Sequence, residues 1–92
     1  MAVGPAYGDP TFPSSAVSIT VPAGNTNLAP MFNAGCARWL YCGTAGVIYV
    51  QHSMDAGLVA YTVIAGTRLP GGFITLGGTT AGTTVAIVIA EC

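Results

Sequence analysis

From residue 16 onward the apolar residues come in short runs, and a turn rich in glycine or proline closes each one. Residues 16–21 alternate and stop at Pro22-Ala23-Gly24-Asn25, a turn sequence. Residues 37–42 stop at Gly43-Thr44-Ala45-Gly46, and residues 47–51 follow, which predicts a hairpin. Residues 58–64 come after Asp55-Ala56-Gly57. A short strand is expected over 73–76, between Pro70-Gly71-Gly72 and Gly77-Gly78, and a last one over 83–90. Val, Ile, Thr, Tyr and Trp dominate these runs, as they do in strands. Only residues 28–33 have room for a helical turn, with Pro30 inside it. Ala-Gly pairs begin at 23, 34, 45 and 56, the turn spacing of a sandwich or barrel, although the residues between them do not repeat.

The expected class is therefore all-β: a compact antiparallel β-sandwich or barrel of six to seven short strands, one domain over residues 16–92. Ahead of it, Gly4-Pro5, Asp9-Pro10 and Phe12-Pro13 crowd into residues 1–15. Proline lacks a backbone donor and pushes the preceding residue toward extended geometry, so this stretch reads as an extended N-terminal arm. Tyr7 and Phe12 are its candidate anchors on a neighbouring subunit.

The strands are apolar on both faces. Over 37–42, alternation places Trp39 and Tyr41 on one face and Arg38, Leu40 and Cys42 on the other. Residues 47–50 and 85–89 behave alike. In a small antiparallel protein this requires a cover on each face. One cover is the rest of the domain, and the other is expected to be a partner.

Charge points the same way. Only 5% of the 92 residues are charged, two Arg and three Asp or Glu, against about 25% in an ordinary soluble domain. A chain this short buries only about 60–65% of its unfolded surface, so oligomerisation is an expected source of stability. No basic patch exists to hold nucleic acid. The longest uninterrupted apolar run, residues 85–90, falls short of the roughly 20 residues a spanning helix needs, so no membrane partner is expected. Met1-Ala2-Val3-Gly4-Pro5 has neither the basic nor the apolar region of a signal peptide.

Sites for chemistry are scarce. His52, Ser53 and Asp55 crowd one turn, where a triad cannot converge on one reacting atom. Asp9, Asp55 and Glu91 are scattered, and Cys36 and Cys42 lack the close spacing of zinc ligands. The glycine turns have no P-loop lysine. Hence no enzyme activity, cofactor or metal is expected. Cys36, Cys42 and Cys92 are odd in number, so at least one is unpaired within the chain. They are candidates for an intersubunit disulfide, Cys92 first as an expected exposed end, or else Cys36 and Cys42 are buried small hydrophobes. Arg38 and Arg68 are candidate register-setting charges, each pairing with a neighbouring subunit's acid or terminal carboxylate.

Several segments resemble small virion proteins of tailed phages and gene transfer agents, the head spike base and capsid decoration proteins. They are residues 16–20 with Ala23-Gly24-Asn25-Thr26, residues 38–46, Ala65-Gly66-Thr67-Arg68-Leu69-Pro70, and residues 79–88. The resemblance implies a β-sandwich or barrel that assembles as a trimer or pentamer on the capsid exterior, after synthesis in the host cytoplasm. Its partners would be itself and the major capsid protein or a spike fibre. The alternative is a receptor- or carbohydrate-binding β-module of a phage fibre or spike, with Trp39, Tyr41, Tyr49 and Tyr61 as stacking surfaces.

Overall fold

A computed structural model describes residues 15–53 and 57–92. Among these, seven strands form one antiparallel sheet and no α-helix occurs. The strands are β1 (Ala16–Thr20), β2 (Thr26–Asn27), β3 (Ala37–Cys42), β4 (Gly46–His52), β5 (Val59–Val63), β6 (Arg68–Leu76) and β7 (Ile87–Glu91). The all-β class is thus the observed one. Of the expected arm over residues 1–15 only Ser15 is described; the rest, with Tyr7 and Phe12, lies outside the described residues. No described helix is long and apolar enough to cross a membrane.

The sheet order is β1-β7-β3-β6-β4-β5, with β2 pairing the end of β6. Only β4 and β5 form a hairpin of consecutive strands along this path. The expected hairpin of residues 37–42 with 47–51 is not formed. Both edges of β3 are taken, by β6 and by β7. The Gly43-Thr44-Ala45-Gly46 turn instead crosses to the far part of the sheet. The Gly43 N–H donates to the Ile87 carbonyl (2.9 Å), and the Ala86 N–H donates to Thr44 Oγ1 (2.8 Å). Gly46 leaves the turn at φ 149°, a conformation open to glycine, with Thr84 pressed against it.

Two strand boundaries move for identifiable reasons. β6 begins at Arg68 and runs through Pro70-Gly71-Gly72, which reads as a turn in sequence. The proline is tolerated because β6 pairs only with β3 there, and β4 joins it from Phe73 onward. The last strand begins at Ile87, because residues 83–85 bind β4, through the Thr83 and Thr84 hydroxyls and the Thr84 and Val85 N–H groups. Thr83 Oγ1 accepts from the Tyr49 N–H (3.1 Å) and Thr84 Oγ1 from the Val47 N–H (2.8 Å). The Val47 carbonyl accepts from the Thr84 N–H at 2.8 Å. This segment leads directly into β7, so it ties the β4 end of the sheet to the β7 end. The turn expected within residues 28–33 is a 3-10 turn over Ala29–Met31 that contains Pro30.

The core draws on almost every strand. Leu28, Ala37, Leu40, Cys42, Ile48, Val50, Leu76, Val88 and Ala90 have no exposed surface, and Phe73 and Val85 are nearly as buried. A fully buried side chain of the Val, Leu, Ile or Phe class contributes about 1.5–3 kcal/mol. Gly78 is fixed by close approach: a Cβ there would strike the carbonyls of Pro22, Ala23 and Gly24. The next residues donate to the same loop, Thr79 to Pro22 (2.9 Å) and Thr80 to Ala23 (3.0 Å).

Candidate functional site

The most distinctive surface is the face of β1, β7, β3 and β6 that points away from the core. Directly paired residues share a face, so the register defines it row by row. Ala16, Glu91, Trp39 and Pro70 form one row. Ser18, Ile89, Tyr41 and Arg68 form the next, and Thr20 with Ile87 a third. The inward rows between them, Val17, Ala90, Leu40 and Leu69, then Ile19, Val88 and Cys42, pack in the core.

The β3–β7 part of this face is apolar and open. Tyr41 is 37% exposed and Ile87 44% exposed, with Ile89 half-buried between them. The turn after β5 adds to its rim. Its Gly66 N–H donates to the Cys42 carbonyl (2.8 Å), and a Cβ on Gly66 would lie 3.9 Å from the Tyr41 hydroxyl. Ile64 in that turn is 74% exposed. The two-sided strands expected from the sequence therefore expose their second side here.

Charge on the face is neutralised within the chain. Arg68 Nε donates to Glu91 Oε1 at 2.9 Å. To reach Glu91 the guanidinium passes over the Trp39 ring, 4.4 Å from its centroid, since β3 lies between β6 and β7. The pair is partly solvated, so the ion pair contributes about 0.2–1 kcal/mol and the cation–π contact about 0.5–1 kcal/mol. Arg68 thus meets an acid of its own chain, where pairing with a neighbour's acid was expected. The two residues stand 23 apart in sequence, and no local signal links them.

Arg38 lies in the strip where the β3–β6 register shifts, between Ala37 opposite Phe73 and Trp39 opposite Pro70. The shift breaks alternation. Ala37 turns inward and Arg38 is exposed, against the expectation that it shares a face with Leu40 and Cys42. Among the described residues it has no carboxylate partner.

The cysteines are thiols in three environments. Cys42 is fully buried, and burial pushes its pKa up, so it behaves as a small hydrophobe and cannot reach a second chain. Cys36 is half-buried beside Gly72, where Ser53 Oγ also approaches. Cys92 is not the loose end expected. It is half-buried and exchanges backbone hydrogen bonds with Ser15, at 2.9 and 3.0 Å.

His52 lies at the end of β4. Its Nε2 shares a hydrogen bond with the Tyr61 hydroxyl (2.8 Å), and its ring packs on Phe73 with centroids 4.8 Å apart. The Ser53 N–H donates to the Gly72 carbonyl (2.8 Å), and Asp55 lies outside the described residues. The described geometry gives His52 a structural partner in Tyr61. Among the described residues no three His, Cys, Asp or Glu side chains group as metal ligands would.

Of the four aromatic residues weighed as stacking surfaces, three are engaged. Trp39 lies under Arg68 and Tyr61 is bonded to His52. Tyr49 packs against the 77–82 segment, where a Cβ on Gly82 would come within 2.8 Å of its ring. Tyr41 is the most open of the four. Comparison with protein-family models, curated proteins and solved structures finds no match to this chain.

Proposed function

We propose that this chain is a non-enzymatic virion structural protein, a capsid decoration (cement) or head spike base protein that oligomerises on the capsid surface and stabilises the particle. The observation that carries this reading is the open apolar patch of Tyr41, Ile87 and Ile89 on the outer face of β1, β7, β3 and β6, whose Arg68–Glu91 charges are already paired. An extended apolar patch on a small chain with so few charges is an association surface. Its partners are copies of itself, as a trimer or pentamer, and the major capsid protein or a spike fibre. Each subunit buries this face against a neighbour, and bridging between capsomers stiffens the shell. The resemblance of residues 16–20, 23–26, 38–46, 65–70 and 79–88 to virion proteins supports the location on the capsid exterior.

Particles that lack the protein are expected to lose infectivity or integrity at lower temperature, or at lower chelator concentration, than complete particles. Equal resistance of the two would contradict the stabilising role. The openness of Tyr41 favours one second reading, a receptor- or carbohydrate-binding module. Binding to a glycan array that is abolished by Tyr41→Ala would move that reading ahead.

A further inference from the structure

We infer that the outer face of β1, β7, β3 and β6 is the seat of the N-terminal arm, residues 1–14, of a neighbouring copy. The inference rests on the assembly reading above and names the occupant of that surface.

Three observations carry it. The first is where the arm joins the domain. Fourteen residues precede Ser15, which is tied to Cys92 next to the Ala16–Glu91 row at one rim of the face. The second is reach. Four strands at about 4.8 Å spacing make a face about 15–20 Å wide. Fourteen residues can span up to about 46–50 Å when extended, enough to reach past the width of this face to a neighbouring copy. Pro13 stands two residues before Ser15, fixing its own φ and biasing Phe12 to extended geometry, which opposes folding straight back.

The third is complementary chemistry. The arm carries apolar Tyr7 and Phe12 and a single charge, Asp9. The face offers Tyr41, Ile87 and Ile89, and past its Trp39 row, in the irregular strip at the start of β3, stands Arg38, an exposed cation with no acid among the described residues. Tyr7 and Phe12 cover the apolar rows, and the Asp9 carboxylate accepts from the Arg38 guanidinium. Extended segments rich in proline suit such a surface, because little chain entropy is lost on docking.

Trp39, the chain's one tryptophan, lies in this face and reports on its cover. The test compares the full chain with the full-length variants Tyr7→Ser/Phe12→Ser, Asp9→Arg, and Asp9→Arg/Arg38→Asp. Acrylamide quenching of Trp39 is read across a thousandfold dilution, beside the oligomer mass. In the wild type, quenching is expected to rise at least threefold on dilution, to the level Tyr7→Ser/Phe12→Ser shows at every concentration. Asp9→Arg is expected to shift that transition at least fivefold toward higher concentration, and the charge swap to restore it. Three results would overturn the inference: Trp39 equally accessible in wild type and Tyr7→Ser/Phe12→Ser, protection that survives dilution to monomers, or a swap that restores nothing. Normal assembly with Trp39 unprotected would remove the arm from this face and leave the assembly reading standing.

Discussion

The outer sides of β3 and β4 meet the same physical demand in opposite ways. On β4, Tyr49 is covered by the chain itself: Gly77 and Gly82 lie against it, and Thr83 and Thr84 satisfy the strand's backbone. On β3, Tyr41 is left open beside Ile87 and Ile89 of β7, and Trp39 is shielded on one ring face by Arg68. A strand with two apolar sides therefore does not by itself reveal whether a partner is needed. What decides is whether another segment of the same chain is close enough to cover it.

The contrast makes mutations on the two sides behave differently. The largest loss of stability is expected at the loop that carries the β4 cover. Gly78→Val drives side-chain atoms into the carbonyls of Pro22, Ala23 and Gly24, and should cost about 3 kcal/mol or more in chemical denaturation. Thr83→Val keeps the shape but strips the Tyr49 N–H of its acceptor, an expected loss of about 1–3 kcal/mol. A stability close to wild type in Thr83→Val would mean that the hydroxyl is not what holds the segment to β4.

On the open side the expected pattern reverses. Ile87→Ser should cost the monomer no more than about 1–1.5 kcal/mol, because the side chain is already nearly half solvated. Its self-association, followed by analytical ultracentrifugation, should weaken tenfold or more. A variant that unfolds easily and still assembles would reverse the roles assigned to the two sides.

The all-β class was legible because alternation and turn chemistry are local. Residues 37–42 and 47–51 stand out as strands from their own residues alone. Their partners do not. The Gly43-Thr44-Ala45-Gly46 turn announces a change of direction, and a glycine-rich turn serves a hairpin and a crossover equally well. Pro70-Gly71-Gly72 reads as a break because sequence does not show which edge of β6 lacks a second strand. The uncovered face was half legible: two-sided strands signal it. The Arg68–Glu91 pair over Trp39 depends on β3 lying between β6 and β7, a long-range fact.

The smallest expected effect separates the thiols. Native alkylation should modify Cys36 and Cys92 well before Cys42. Burial raises the Cys42 pKa, so its contribution to stability is intact below the unfolded value near 9.0. Above it the unfolded chain sheds the proton that the folded chain keeps, and stability falls as pH rises. Cys42→Ala should flatten that alkaline decline relative to wild type in paired denaturation curves. An unchanged slope would place the titration elsewhere.

Native mass spectrometry of the full chain, beside Tyr41→Ser/Ile87→Ser and with and without reductant, bears most directly on the open face as an assembly surface. The wild type should give one discrete trimer or pentamer that persists in reductant, and the variant a folded monomer. A wild-type monomer under both conditions, or a variant that assembles unchanged, would contradict it.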